Sequence, residues 1–82
     1  MSSIADHKRE LEVFSFLAYR LAVARQKHPV YANGATAAWN VIEEELMELY
    51  NAIDDHESES RQIDEAIDVA VTAIRFILGE HK

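Results

Sequence analysis

The chain has 82 residues, no cysteine, and 15 acidic against 8 basic side chains, which describes one small acidic domain spanning residues 1–82. The missing cysteines exclude disulfide stapling and thiolate zinc sites. A formal charge of −7 argues against bare nucleic acid or an anionic membrane surface as partners. A domain this short buries only about 60–65% of its unfolded surface. With 49% apolar residues, it is expected to associate with copies of itself.

The opening residues, Met1 to Lys8, lack the charged-then-apolar pattern of a leader, and no stretch nears the roughly 20 apolar residues of a membrane span. A cytoplasmic protein is expected. Helix one is predicted from Ile4 or Asp6 to Lys27, with Leu11, Phe14, Leu17, Ala18, Leu21 and Arg25 recurring at three- and four-residue steps. His28 precedes Pro29 and is biased out of the helix. His28 to Gly34 then reads as a loop. Helix two is predicted from Ala35 or Thr36, capped by Thr36 or Asn33, with Trp39, Ile42, Leu46, Leu49 and Ile53 as its core stripe. The polar run Asp54 to Ser60 reads as a solvated connection. Ser58 or Ser60 can cap helix three, which is predicted to run to about Leu78 and end at Gly79. No segment alternates as a strand would. The expected fold class is all-α, with three main helices.

Helix three has unusual proportions. At about 100° per residue, Arg61, Glu65, Asp68, Thr72 and Arg75 share one narrow band, with Asp64 at its edge. The remaining residues from Ile63 to Leu78 are apolar. A surface helix ordinarily has a broad polar face, so this acidic band is expected to line an internal cleft. Helix two carries a second acidic run, Glu43-Glu44-Glu45-Leu46-Met47-Glu48. Here Glu45 and Glu48 form the expected inward pair, with Glu44 as a further possibility.

Both helices therefore carry carboxylates three positions apart, on one face and neighbouring turns. The pairs Glu45/Glu48 and Glu65/Asp68 are separated by 16 residues. Four carboxylates brought together repel unless a cation sits among them. Mg2+ is the natural occupant of an all-oxygen site, with Mn2+ as substitute. One such pair alone would ordinarily be a solvated face. Two pairs, one amid apolar neighbours, point to a metal centre acting on a phosphate-bearing substrate.

The text Val41-Ile42-Glu43-Glu44-Glu45-Leu46-Met47-Glu48-Leu49-Tyr50-Asn51-Ala52-Ile53, followed by Asp64-Glu65-Ala66-Ile67-Asp68-Val69, resembles the MazG-like branch of the all-alpha nucleoside triphosphate pyrophosphohydrolases. The likeness covers roughly the second half of the chain. It implies a helical protein whose four-helix-bundle-type core is completed by homo-oligomerisation, as a homodimer or a dimer of dimers. It implies Mg2+-dependent hydrolysis of a (d)NTP between the α and β phosphates, giving a monophosphate and pyrophosphate. By position, Glu45, Glu48, Glu65 and Asp68 would be the metal ligands. Glu45 or Glu48 could orient the attacking water or take its proton.

Arg75 lies in the same band as Asp68 and is the candidate for the phosphates, ahead of Lys27, Arg25 and Arg61. It could equally pair structurally with Asp68 or Glu80. Phe14, Phe16, Tyr19, Trp39 and Tyr50 are the rings available to a base. Trp39 is the one assigned to substrate, although its stripe also makes it core material. Phe76 is expected in the core or a dimer interface. His7, His28, His56 and His81 show no ligand spacing and are expected on the surface or in loops. The other functional class is a non-catalytic helical dimer, an interaction or nucleotide-sensing module. A complete set of four acids favours the enzyme.

Overall fold

The computed structural model describes residues 4–82, with side chains from Asp6 onward. Its three helices are α1 (Ile4–Lys27), α2 (Ala35–Asp54) and α3 (Glu59–Ile77). There is no strand among the described residues. None of these helices is long and apolar enough to cross a membrane.

α3 is the central element. It packs most extensively on α2 and more sparsely on α1. Among the described residues, α1 and α2 do not pack on each other. The two flanking helices therefore diverge over α3 and leave a cleft between them.

The ends of these helices have local causes. Gly34 caps α2 with φ +97°, a conformation glycine adopts without steric cost. Its carbonyl accepts from Ala38 N at 3.0 Å and its N–H donates to the His81 carbonyl at 2.8 Å. Neither Asn33 nor Thr36 is the cap, because this cap works through backbone groups alone. Asp54 belongs to α2, which shortens the expected connection. At the start of α3, the Ser58 hydroxyl accepts from Arg61 N at 3.2 Å, choosing Ser58 over Ser60. α3 closes at Gly79, whose φ is +77°. Glu80 N then bonds back to the Arg75 carbonyl at 3.0 Å, satisfying a carbonyl at the helix end.

The α2–α3 contact is made through small side chains. Ala38 and Ala52 are fully enclosed and Val71 is nearly so. Ala38 and Ala52, with Val41, Ile42, Glu45 and Leu49, define the inward face of α2. The expected stripe was rotated from this face: Trp39, Leu46 and Ile53 are exposed. Alanines allow the two backbones to approach closely, so the bulkier residues fall to the flank. On α1, Leu17, Leu21, Val23 and Ala24 are half-buried. Leu11, Phe14 and Arg25 of the expected stripe are exposed, because α3 lies only under the later turns.

His81 departs from its expected surface position. It is 8% exposed, and its ring stacks on Phe76 with centroids 4.2 Å apart and planes 3° from parallel. Glu80, beside it, pairs with Arg25 of α1 and with Arg75 of α3. The segment after α3 thus ties the end of α1, the start of α2 and the last turn of α3 together. Phe76 itself remains partly open at 38% exposure.

The monomer is loose for its mass. Its accessible surface is 6169 Å², against about 5,000 Å² for a folded monomer of 9.3 kDa. Its radius of gyration is 14.1 Å, where about 12 Å is usual for this length. Large apolar side chains lie open on every helix, among them Phe14, Trp39, Leu46, Tyr50, Ile63 and Ile77.

Candidate metal centre and adjoining cleft

Inward orientation of the α3 band follows from its register. Val71 is buried, and Asp64, Asp68, Thr72 and Arg75 lie within about 100° of it on the same side of the helix. Glu65 is 6% exposed and Arg75 3%. The polar side of α3 therefore faces the molecule's interior, where its apolar neighbours would ordinarily be expected.

Three carboxylates meet there. One oxygen each from Glu45, Glu65 and Asp68 lies within 4.8 Å of the others. The first comes from α2 and the other two from α3. Glu65 is anchored by Arg61, whose Nη2 donates to Oε1 at 2.5 Å. Its second oxygen, Oε2, is buried without a hydrogen-bond partner, as is Glu45 Oε2. Buried polar atoms are nearly always paired, so two orphaned acceptors within one carboxylate group mark a place fitted for a donor or a cation.

Glu48 has its carboxyl within hydrogen-bonding reach of Glu45, one turn along α2. It is exposed and stands outside the three-oxygen group. Glu44 is also exposed but lines the cleft.

The electrostatics follow the crowding. Burial, then the bond to Glu48, then the charges of Glu48, Asp68 and Glu65 push the Glu45 carboxyl up to about 7 from an ordinary 4.5. Burial also raises Asp68, opposed by the Arg20 guanidinium and reinforced by the charge of Glu65. Asp64 is lowered, mainly by its hydrogen bond from Arg20. Because folded Glu45 holds its proton more tightly than the unfolded chain, metal-free stability is greatest below the unfolded value and falls as pH rises through about 7. The expected loss between pH 5 and 7.5 is on the order of 2 kcal/mol. Urea unfolding at the two pH values measures it. Glu45→Gln should flatten the dependence, and an unaltered slope in that variant would remove Glu45 as its cause.

The centre opens into a cleft of about 490 Å³ between α1 and α2, floored by α3. Glu45 and Asp68 lie on its wall, with Arg20 and Lys27 from α1 opposite, and Val23, Val30 and Val41 giving it apolar surface. A volume of this size suits a small organic ligand. No family model, curated protein or solved structure matches the chain. The chemistry of this cleft therefore rests on its own residues.

Arg75 also lines the cleft, with two of its nitrogens engaged elsewhere. Its Nε binds Glu80 at 2.7 Å and its Nη2 binds the His28 carbonyl at 2.9 Å. Its guanidinium lies 4.9 Å from the centre of the Tyr31 ring, and Tyr31 in turn donates to the Thr72 carbonyl at 2.8 Å. These contacts brace the loop after α1 against α3. Trp39 is on the flank of α2 away from the cleft and does not line it.

Sequence reasoning passed over Arg20. Its Nη1 donates to Asp64 at 2.7 Å and its Nη2 to Asp68 at 2.8 Å, across 44 and 48 residues of chain. The available signal was its position: Arg20 falls between Leu17, Leu21 and Ala24 on the inward side of α1, where a charge needs a partner.

Proposed function

We propose that the chain is a Mg2+-dependent nucleoside triphosphate pyrophosphohydrolase that resembles the MazG-like enzymes. The observation that carries this reading is the orphaned, buried Glu65 Oε2 in one acid group with Glu45 and Asp68, the latter two lining a cleft of ligand size. The donor set is all oxygen and anionic, which fits a hard divalent ion.

Glu45, Glu65 and Asp68 would hold Mg2+, with Glu48 beside them as a further carboxylate. Bound there, the ion supplies positive charge against the phosphate oxygens and activates water. The protein's own residues do the rest. Glu48, beside the centre and outside the three-oxygen group, or Glu45 would orient the attacking water or take its proton. That water's oxygen forms the new bond to phosphorus as the bridge between the α and β phosphates breaks. Pyrophosphate departs, and the proton remains on that carboxylate. Lys27 on the opposite wall meets the polyphosphate charge, and Val23, Val30 and Val41 exclude water from one side of the base.

A homodimer or dimer of dimers accompanies this reading. The surplus of about 1,200 Å² over the surface of a globular monomer is on the scale of a stable interface. The open flank of α2, with Trp39, Leu46, Tyr50 and Ile53, and the open back of α3 at Ile63 and Ile77, are the surfaces a second copy would cover. That copy would complete the four-helix core.

The deciding experiment is a panel of ribo- and deoxyribonucleoside triphosphates with Mg2+, read by pyrophosphate release, alongside sedimentation of the same sample. Release from at least one member of the panel by an oligomer is expected. Absence of release from every member removes the enzymatic reading and leaves a nucleotide-binding or interaction module. A stable monomer in sedimentation removes the completed bundle.

A further inference from the structure

Arg20 touches the candidate centre from the outside. One of its two outer nitrogens holds Asp64, which lies at the edge of the α3 band and outside the three-oxygen group. The other holds Asp68, which lies inside that group. The Arg20 side chain is 23% exposed and lines the cleft with Asp68, so the pair borders the space a ligand would fill. The fork geometry gives the two donors separate acceptors, and one can let go while the other stays.

Resting on the pyrophosphohydrolase reading, we propose that Arg20 is an exchangeable counter-ion of the centre: it holds Asp68 when no cation is bound, and turns its Nη2 to a phosphate oxygen when metal and polyphosphate arrive, with Asp64 as the fixed anchor. The argument is one of charge. A guanidinium and a divalent ion drawing on the same carboxylate repel each other, so binding of the ion weakens the hold of Arg20 on Asp68. A phosphate brought in beside the ion then offers the freed donor a charged acceptor. Asp64 keeps the side chain from leaving the cleft between these states. The device gives the empty centre an internal cation and makes metal and polyphosphate favour each other's binding. By linkage, each raises the affinity for the other by the same factor.

The test uses Mn2+ and inorganic pyrophosphate as probes. Free Mn2+ is followed by electron paramagnetic resonance, and pyrophosphate binding by calorimetry at saturating Mn2+. The proteins are the wild type, Arg20→Gln and Arg20→Lys, each checked for helical circular dichroism. Arg20→Gln is expected to bind Mn2+ about tenfold more tightly, because a repelling unit charge is gone, and pyrophosphate about tenfold more weakly. Arg20→Lys keeps the charge but not the fork. It should match the wild type for Mn2+ and bind pyrophosphate more weakly.

Opposite signs in the two titrations distinguish exchange from a merely structural bridge, whose loss would weaken both. Wild type that binds Mn2+, with Arg20→Gln equal to it or weaker, overturns the exchange while leaving the metal centre standing. Unchanged pyrophosphate affinity in both variants overturns it as well. Wild type with no Mn2+ binding at all overturns the centre and the exchange together.

Discussion

Asp68→Asn is expected to reduce pyrophosphate release by at least about 100-fold, the scale on which loss of one preorganised charge-stabilising group is felt. Asp68 belongs to the acid group and also accepts from the cleft-lining Arg20 guanidinium at 2.8 Å. The substitution keeps shape and volume while removing the charge and one acceptor oxygen. Asp68 is half-buried and its side chain is 39% exposed, so helical content should be unchanged. Glu48→Gln provides the comparison. Glu48 is the exposed neighbour of Glu45, and its loss is expected to abolish release as well if all four acids are needed. Full turnover in either variant, measured by pyrophosphate release with circular dichroism as control, would reject that residue as a ligand.

Mg2+ or Mn2+ is expected to raise the melting temperature sharply. Ion at 100 times its Kd adds about 2.7 kcal/mol when it binds only the folded state. For a domain of this length each kcal/mol is worth about 4–8 °C, so the shift should be about 10–20 °C. The physical source is relief of repulsion among Glu45, Glu65 and Asp68, together with satisfaction of the orphaned Glu45 and Glu65 oxygens. Protein concentration must be held fixed, because self-association also moves the midpoint. Asp68→Asn should lose most of the shift. A wild-type melting curve indifferent to millimolar Mg2+ would count decisively against the centre.

Much of this architecture was legible because local signals agreed. The three helices begin and end close to where breakers and periodicity put them. Of the polar band that the reversed proportions of α3 turned inward, Glu65 and Arg75 are buried, while Arg61 at its start is exposed. Periodicity also brought Glu45, Glu65 and Asp68 to one place.

What the sequence did not disclose depended on partners far apart in the chain. A helical wheel treats large apolar residues as inward, so it chose Trp39 and Leu46 over Ala38 and Ala52. The observed choice is set by how closely α3 approaches, and no local pattern states that distance. The partners of Arg20 were hidden for the same reason: its two carboxylates lie more than 40 positions downstream. Arg75 was legible as a cation in the band. Its engagement by Glu80 and His28 depends on the turn after α3 folding back. His81 was misjudged because its burial is made by that same turn.

The divergence of α1 from α2 bears on how the molecule assembles. The α2–α3 hairpin is built from sequence neighbours joined by a short link, and such pairs close early at little entropic cost. α1 must find α3 across a much longer stretch and packs on it more sparsely, so it belongs to the late, easily opened part of the structure. The mouth of the cleft is thus framed on one side by the least firmly seated helix. Admission of a bulky guest then requires only that one gate-post lean away, while the hairpin carrying the acids stays upright.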